Sequence, residues 1–275
     1  HKSVEKIFGV QLRYQSPQAI FAIPLDGWSE FKKYEQENCL PRIAYVPPFS
    51  GLEPIEKRLD ISPIRQQVGK GQPGSVLRNL LLRVNNPSEQ NKIEGDYQIK
   101  ADYWNEFSSV VERWFGVKIL PPQYNADRDV NILVQYQQNN DKKYDIISGG
   151  SGFHQTLTLL AFLYGYQPTT ILLDEPDAHL HVNLQREILD YFKRKSGELN
   201  IQFLVATHAE EFVRGVDASQ IISLLIHENP KRIQSTPEIV RAMAEVTNEE
   251  IVRLLASPYI VYIEGESDER ILRAW

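Results

Sequence analysis

Two short apolar runs, 170-TILLD-174 and 201-IQFLVA-206, constrain the fold of this chain more than any other feature. Both are apolar at nearly every position instead of at alternate ones, the pattern of strands covered on both faces. A helical pattern over about 183–194 lies between them. Strands joined through a helix run parallel, because the crossover returns the chain to the end of the sheet where it started. Another helix is predicted over about 152–165, ahead of the first run. The expectation is an α/β fold with a mostly parallel sheet and helices on both faces. With 275 residues, 42% of them apolar, the chain can bury one large core or two smaller ones.

The N-terminal part reads differently. Segments 7-IFGVQLRYQ-15 and 19-AIFAIPL-25 are predicted strands around a Ser-Pro turn, giving antiparallel pairing near the start. Residues 42–52 read as a strand stopped by Pro47-Pro48, since proline removes a ladder donor and biases the residue before it. From 53 to 117 the character is helical. In 101-ADYWNEFSSVVERWFGV-117 the residues Tyr103, Trp104, Phe107, Val110, Val111, Trp114 and Phe115 fall at helical spacing, and Gly116 supplies a stop. That aromatic stripe is read as core packing. A hairpin is expected from 130-VNILVQY-136 and 144-YDII-147 around a Gln/Asn loop, and a helix over 237–256 precedes a strand at 259–265.

Composition narrows the compartment and little else. The single cysteine, Cys39, cannot form an internal bridge, and no CxxC or Cys/His finger is present. This pattern fits a reducing, cytoplasmic setting. No apolar run approaches a membrane span and the first residues lack a signal-peptide pattern, so no membrane partner is expected. A net charge of −6 neither recommends nucleic acid nor excludes it, because local patches such as Lys231-Arg232 decide binding.

Three constellations carry chemistry. Asp174 and Glu175 end the strand 170-TILLDE-175, at the edge where open α/β sheets bind ligands. Adjacent acids there can divide labour, one holding Mg2+ and the other orienting an attacking water. Alone, the pair is also what an ordinary acidic loop looks like. The turn 148-SGGSG-152 opens a helix: its glycines let backbone amides crowd an anion, and Ser148 adds a side-chain donor. The strand 203-FLVATH-208 ends in Thr207-His208, and a neutral imidazole at that edge can touch a terminal phosphate or the attacking water. His179 and His181 form an His-x-His pair without an evident third ligand and are read as structural or loop contacts.

In order and spacing these pieces resemble the ABC-type ATPase domain in its DNA-maintenance branch: SMC-like repair ATPases, RecF-like proteins and the OLD (overcoming lysogenization defect) family. Ser148, Gly149 and Gly150 match the signature motif, Asp174 and Glu175 match Walker B, and His208 matches the switch histidine. The segment 176-PDAHLH-181, with Asp177, resembles the D-loop of OLD-like and related defence ATPases. The resemblance covers about residues 140–225 and implies a P-loop NTPase fold of ABC type. It also implies ATP with Mg2+ held between two subunits, so a homodimer or higher homo-oligomer. Glu175 and His208 would be catalytic, Asp174 would serve the metal, and Ser148, Gly149, Gly150 and Asp177 would contact nucleotide. One part of the pattern is missing: no GxxxxGK[ST] occurs, and 69-GKGQPGS-75 fails in spacing and ending. The expectation is that the first part of the domain precedes His1. Gln11, Gln15 and Gln18 are candidates for the Q-loop glutamine, and none stands out.

The tail 259-YIVYIEGESDERILRAW-275 resembles the opening of a Toprim domain, with Glu264 and Asp268 as acids for Mg2+ or Mn2+. A charged helix cap is the plainer reading of the same residues. The domain expectation is an ATPase over 1–256 with a helical insertion at 53–117, then the start of Toprim over 257–275. The function implied is an ATPase of DNA-related defence or repair, coupled to a metal-dependent nuclease, with DNA as partner. The alternative is an ATP-gated dimeric regulator that recruits a separate effector protein. A transporter ATPase is a third option, disfavoured because its signature and D-loop differ.

Overall fold

A computed structural model of the chain describes residues 9–16, 19–25, 29, 42–48, 51–86, 102–138, 142–224 and 230–233. The expected helix over 237–256, the strand at 259–265, and Glu264 and Asp268 lie outside the described residues. The chain divides into two compact units, one within residues 1–180 and 190–206, the other within 181–189 and 207–275.

The first unit opens on β1 (Val10–Ser16) and β2 (Ala19–Pro24), paired antiparallel in register Val10 with Pro24, as the sequence suggested. β3 (Ile43–Val46) ends immediately before Pro47. The segment expected to be helical from 53 begins its first helix only at Ile61. Residues 51–60 are irregular, and Lys57 bridges Asn131. Among the described residues the helices α1 (Ile61–Gly69), α2 (Leu77–Asn85) and α3 (Tyr103–Phe115) follow. Gly116 terminates α3 with φ 65, and its N–H donates to the Glu112 carbonyl, a left-handed cap that needs no Cβ.

α2 is buried from Leu77 through Val84. An all-round buried helix is a central one, and its two arginines therefore need partners. Arg83 Nε donates to the Gly165 carbonyl at 3.1 Å, and Arg78 forks onto Asp145. No N-cap side chain serves α2; Glu56 takes that role from a distance. Its carboxylate accepts from Arg78 N and Asn79 N, each at 2.7 Å.

β4 (Lys118–Ile119), β5 (Gln135–Gln137) and β6 (Lys143–Asp145) form a small antiparallel sheet. The hairpin is where the sequence placed it, but β5 starts at Gln135 because residues 131–133 are spent on isolated bridges. Ile146 and Ile147, read as strand, instead start a 3-10 turn, Ile146–Ser148. α4 (Ser151–Ala161) follows and passes into a π turn, Phe162–Tyr166. β7 (Thr170–Asp174), α5 (Val182–Leu199) and β8 (Gln202–Ala206) close the pattern. α5 runs five residues beyond its expected end, where Ser196 Oγ donates to the Ile201 carbonyl at 2.7 Å.

The main sheet has the order β3-β7-β8, all parallel, with Ile43, Thr170 and Gln202 in register. One face delivers Ala44, Val46, Ile171 and Leu173 to the core. The opposite face carries Ile43, Tyr45 and Leu204, which are 52, 39 and 49% exposed. On the core face, which Phe203 shares with its partner Ile171, the latter half of α5 packs Phe192 on Phe203, with ring centroids 4.7 Å apart. The buried Lys195 pairs with Glu106 of α3 and with Glu198.

The second unit holds the start of α5, α6 (Glu210–Arg214), and the two-stranded pair β9 (Ile222–Ser223) and β10 (Lys231–Arg232). Arg186 forks onto Glu211, at 2.5 Å from Nε and 2.9 Å from Nη2.

Candidate active site at the carboxyl end of the parallel sheet

β7 is the middle strand of its sheet, and Asp174, its last residue, pairs with Ala206. A ligand approaching a parallel sheet meets side chains at this end. Asp174 is half-buried, and Tyr45 from β3 donates its hydroxyl to Asp174 Oδ2 at 3.3 Å. Tyr45 pairs with Leu172, so Tyr45, Leu172 and Asp174 share one face of the sheet. Burial first, and then the Asp174 charge, raise the Tyr45 phenol above its ordinary pKa.

Glu175 does not continue the strand. Its φ is 48, in the left-handed region, which costs a residue with a Cβ about 1 kcal/mol. Hydrogen bonds to its backbone hold it there. Its N–H donates to the Ala206 carbonyl at 2.8 Å, and its carbonyl accepts from Ala178 N at 3.1 Å and from Gln155 Nε2 at 2.9 Å. The strand thus ends by a sharp turn, with the two carboxylates consecutive on either side of it.

The glycine turn is braced from three sides. Asp145 caps the 3-10 turn by accepting from Ile147 N at 2.9 Å, and both of its oxygens accept from Arg78, at 3.0 and 2.6 Å. His154 Nε2 lies 2.6 Å from the Ile146 carbonyl. A carbonyl only accepts, so Nε2 carries the proton, and burial lowers the ring's pKa to keep it neutral. Gly149 and Gly150 are extended, with φ −72 at both, and α4 begins at Ser151.

The two glycines differ in why they are glycines. A Cβ on Gly149 would sit 2.4 Å from the Phe153 ring, whereas one on Gly150 would meet nothing within 4 Å. The fold itself needs Gly149. Gly150 is exposed and left open, an approach to the helix start that the chain does not fill. Phe115, Tyr136 and Phe153 back this opening with a cavity of about 170 Å³.

The structure joins the turn to the Asp-Glu loop at two points. Gln155, one turn into α4, holds the Glu175 carbonyl. Gly152 approaches the 179–180 backbone so closely that a Cβ would lie 2.8 Å from the His179 carbonyl. Asp177 is buried in the same loop, and Leu180 N donates to its carbonyl at 3.1 Å. Ser148 and His179 are exposed. His208 is exposed two residues past the end of β8, in the second unit, where Thr207 Oγ1 accepts from Ala209 N at 2.9 Å.

Among the described residues no group of three His, Cys, Asp or Glu side chains stands ready for a metal ion. Magnesium asks for less: one or two carboxylates, with phosphate oxygens and waters completing the octahedron. Asp174, half-buried at the strand end with one oxygen on Tyr45, fits that requirement. Tyr45 and Gln155 were not singled out from sequence. Tyr45 sits in a short strand whose pairing with β7 no local pattern reveals, and Gln155 carries only the weak signal of a polar residue on the apolar face of a helix.

The family model described as "AAA domain, putative AbiEii toxin, Type IV TA system" matches residues 50–214. Among individual proteins, the spermidine/putrescine import ATP-binding protein PotA of Spiroplasma citri is 32% identical over 139 residues, 49% of this chain and 36% of that protein. PotA of Mycoplasmopsis synoviae is 25% identical over 57% of this chain and 36% of its own length. The phosphonates import ATP-binding protein PhnC of Staphylococcus epidermidis is 28% identical over 66% of this chain and 62% of that protein. The chain thus spans about a third of the length of the PotA proteins that it matches. A solved structure from work on ATP-driven dimerization and DNA-stimulated activation of SMC ATPases aligns with 61% of this chain and 95% of its own. Its TM-score is 0.42 at 19% identity. No helix among the described residues is long and apolar enough to cross a membrane. A parallel sheet β3-β7-β8 flanked by helices, with the family match over more than half of its length, gives the chain a P-loop NTPase fold of ABC type and makes it a member of the AAA_21 family.

Proposed function

We propose that this chain forms the catalytic part of an OLD-like ABC ATPase in which ATP binds between two protomers. Glu175 orients and polarises the attacking water. Asp174 would hold Mg2+, and His208 senses the γ-phosphate. Ser148, Gly149 and Gly150 cap the γ-phosphate of the nucleotide held by the partner protomer, and Asp177 belongs to the loop between the two sites. Bound Mg2+ would neutralise phosphate charge; the chain's own residues supply orientation and the proton acceptor. No GxxxxGK[ST] occurs in these 275 residues, and none of them is assigned to the β-phosphate.

The observation that carries this reading is the left-handed Glu175 directly after Asp174 at the end of the central strand. Backbone strain held by surrounding bonds is characteristic of functional sites. In the complete protein, Glu175→Gln should lower ATP turnover about 100-fold or more while preserving ATP-driven association. Turnover within twofold of the unaltered protein removes Glu175 from this role.

The same proposal extends to DNA-related defence or repair. There the tail acids Glu264 and Asp268 would begin a Toprim nuclease using Mg2+ or Mn2+. Glu264→Ala should abolish metal-dependent DNA cleavage and spare ATP turnover; cleavage that persists places the nuclease elsewhere.

A further inference from the structure

The bond between Gln155 and Glu175 links two motifs that the proposed function gives to two different nucleotides. Gln155 is 3% exposed and sits on α4, whose N-cap is Gly150 of the glycine turn. Its Nε2 donates to the Glu175 carbonyl at 2.9 Å, while its Oε1 is buried with no hydrogen-bond partner among the described residues. A buried amide that leaves its oxygen unsatisfied is a poor device for stability alone. An apolar side chain of the same length would fill the space without that penalty. What the amide does provide is a donor at the carbonyl of a residue held at φ 48.

The rest of the local geometry makes this donor effective. The Glu175 N–H is engaged by Ala206 of β8, and its carbonyl is shared by Ala178 N of its own loop and Gln155 of α4, the one donor that comes from the helix behind the glycine turn. Without the α4 donor only the 3.1 Å bond from Ala178 N holds that carbonyl, Glu175 has a cheaper backbone conformation to relax toward, and its carboxylate direction would change with it. We propose that Gln155 is a positioning residue for Glu175. It keeps the carboxylate in its working direction and carries displacements of the glycine turn to it through the first turn and a half of α4. Glu175 of one site then responds to whether the same protomer's glycine turn is engaged by the other nucleotide. This inference rests on the role given to Glu175 above.

Gln155→Met removes the donor and keeps the length and apolar fill. In the nucleotide-free protein, hydrogen exchange at the Glu175 amide should rise at least about tenfold while Ile171 to Leu173 of β7 stay unchanged. In the complete protein kcat should fall about tenfold with the ATP half-saturation unchanged. Unchanged Glu175 exchange together with unchanged kcat overturns the proposal. Should this variant not fold, the Gln155 side-chain amide of the unaltered protein should itself exchange slowly, and rapid exchange there overturns the proposal equally. Glu175→Gln separates the two ideas: if it leaves turnover intact, the assignment of Glu175 fails. If it abolishes turnover while Gln155→Met changes neither exchange nor kcat, the positioning role alone fails.

Discussion

Tyr45 of β3 donates its hydroxyl to Asp174 Oδ2 at 3.3 Å, tying one strand of the parallel sheet to the last residue of its neighbour. The ring also meets the turn after α1, where a Cβ on Gly71 would lie 3.4 Å from it. One side chain therefore connects the helical segment to the carboxylate proposed to serve the metal.

Tyr45→Phe keeps that ring contact and deletes only the hydroxyl. With one restraint on Asp174 gone, the Mg2+ concentration for half-maximal turnover should rise about threefold, with kcat at saturating Mg2+ nearly unchanged. Titration of turnover against Mg2+ at fixed ATP measures it. An unchanged half-saturation removes Tyr45 from the site.

The two glycines of the turn should respond differently to alanine. Gly149→Ala drives a Cβ into Phe153 and should destabilise the fold by about 1–3 kcal/mol. Gly150→Ala adds a methyl to open space and should change stability by less than about 0.5 kcal/mol. It should nevertheless weaken ATP-driven association. Urea unfolding and sedimentation with a non-hydrolysed ATP analogue separate the two effects.

Arg78 is 3% exposed and Asp145 30%, and their two-point contact braces the turn before Ser148. Asp145→Ala leaves the buried Arg78 guanidinium with the Pro54 carbonyl, 3.3 Å from Nη2, in place of a paired carboxylate, and removes the cap from Ile147. It should cost about 3 kcal/mol in urea unfolding. A cost below about 1 kcal/mol would show that the guanidinium finds other partners.

Burial raises the Glu56 carboxyl from its ordinary 4.5 to about 7, against the lowering effect of hydrogen bonds from Asn79 and Arg78. The folded state then holds a proton that the unfolded chain releases above pH 4.5. This contribution to stability is full below the unfolded value and is lost as pH rises toward 7. His154 has the opposite sign: its pKa is lowered from 6.5, so its contribution is lost on acidification below that value. Comparing the unaltered protein with Glu56→Gln cancels the histidine. The difference should shift against the unaltered protein by about 1–3 kcal/mol between pH 4.5 and 7.

The parallel strands were legible because β7 and β8 are short, apolar and separated by a helix of the right length. α3 was legible to within two residues because its aromatic stripe keeps helical spacing and Gly116 ends it. α2 was harder to place at the centre: 77-LRNLLLRVN-85 carries two arginines and two asparagines, and nothing local says that Asp145 and Gly165 will receive the arginines. Likewise the glycine turn and the Asp-Glu pair were visible as motifs. The side chains that link and orient them were not, because Gln155 and Tyr45 act across distances of 20 and 129 residues. Local pattern reports propensity and period; such contacts are products of topology.

The central claim, a pocket completed by two protomers, is tested most directly by mixing two inactive variants of the complete protein, Ser148→Arg and Glu175→Gln. In a mixed dimer one site then joins an unaltered Glu175 to an unaltered glycine turn, while the other carries both defects. Random pairing should restore about a quarter of the original ATP turnover. Turnover no greater than the sum of the separate variants would contradict the shared pocket and place both motifs at a single protomer's nucleotide.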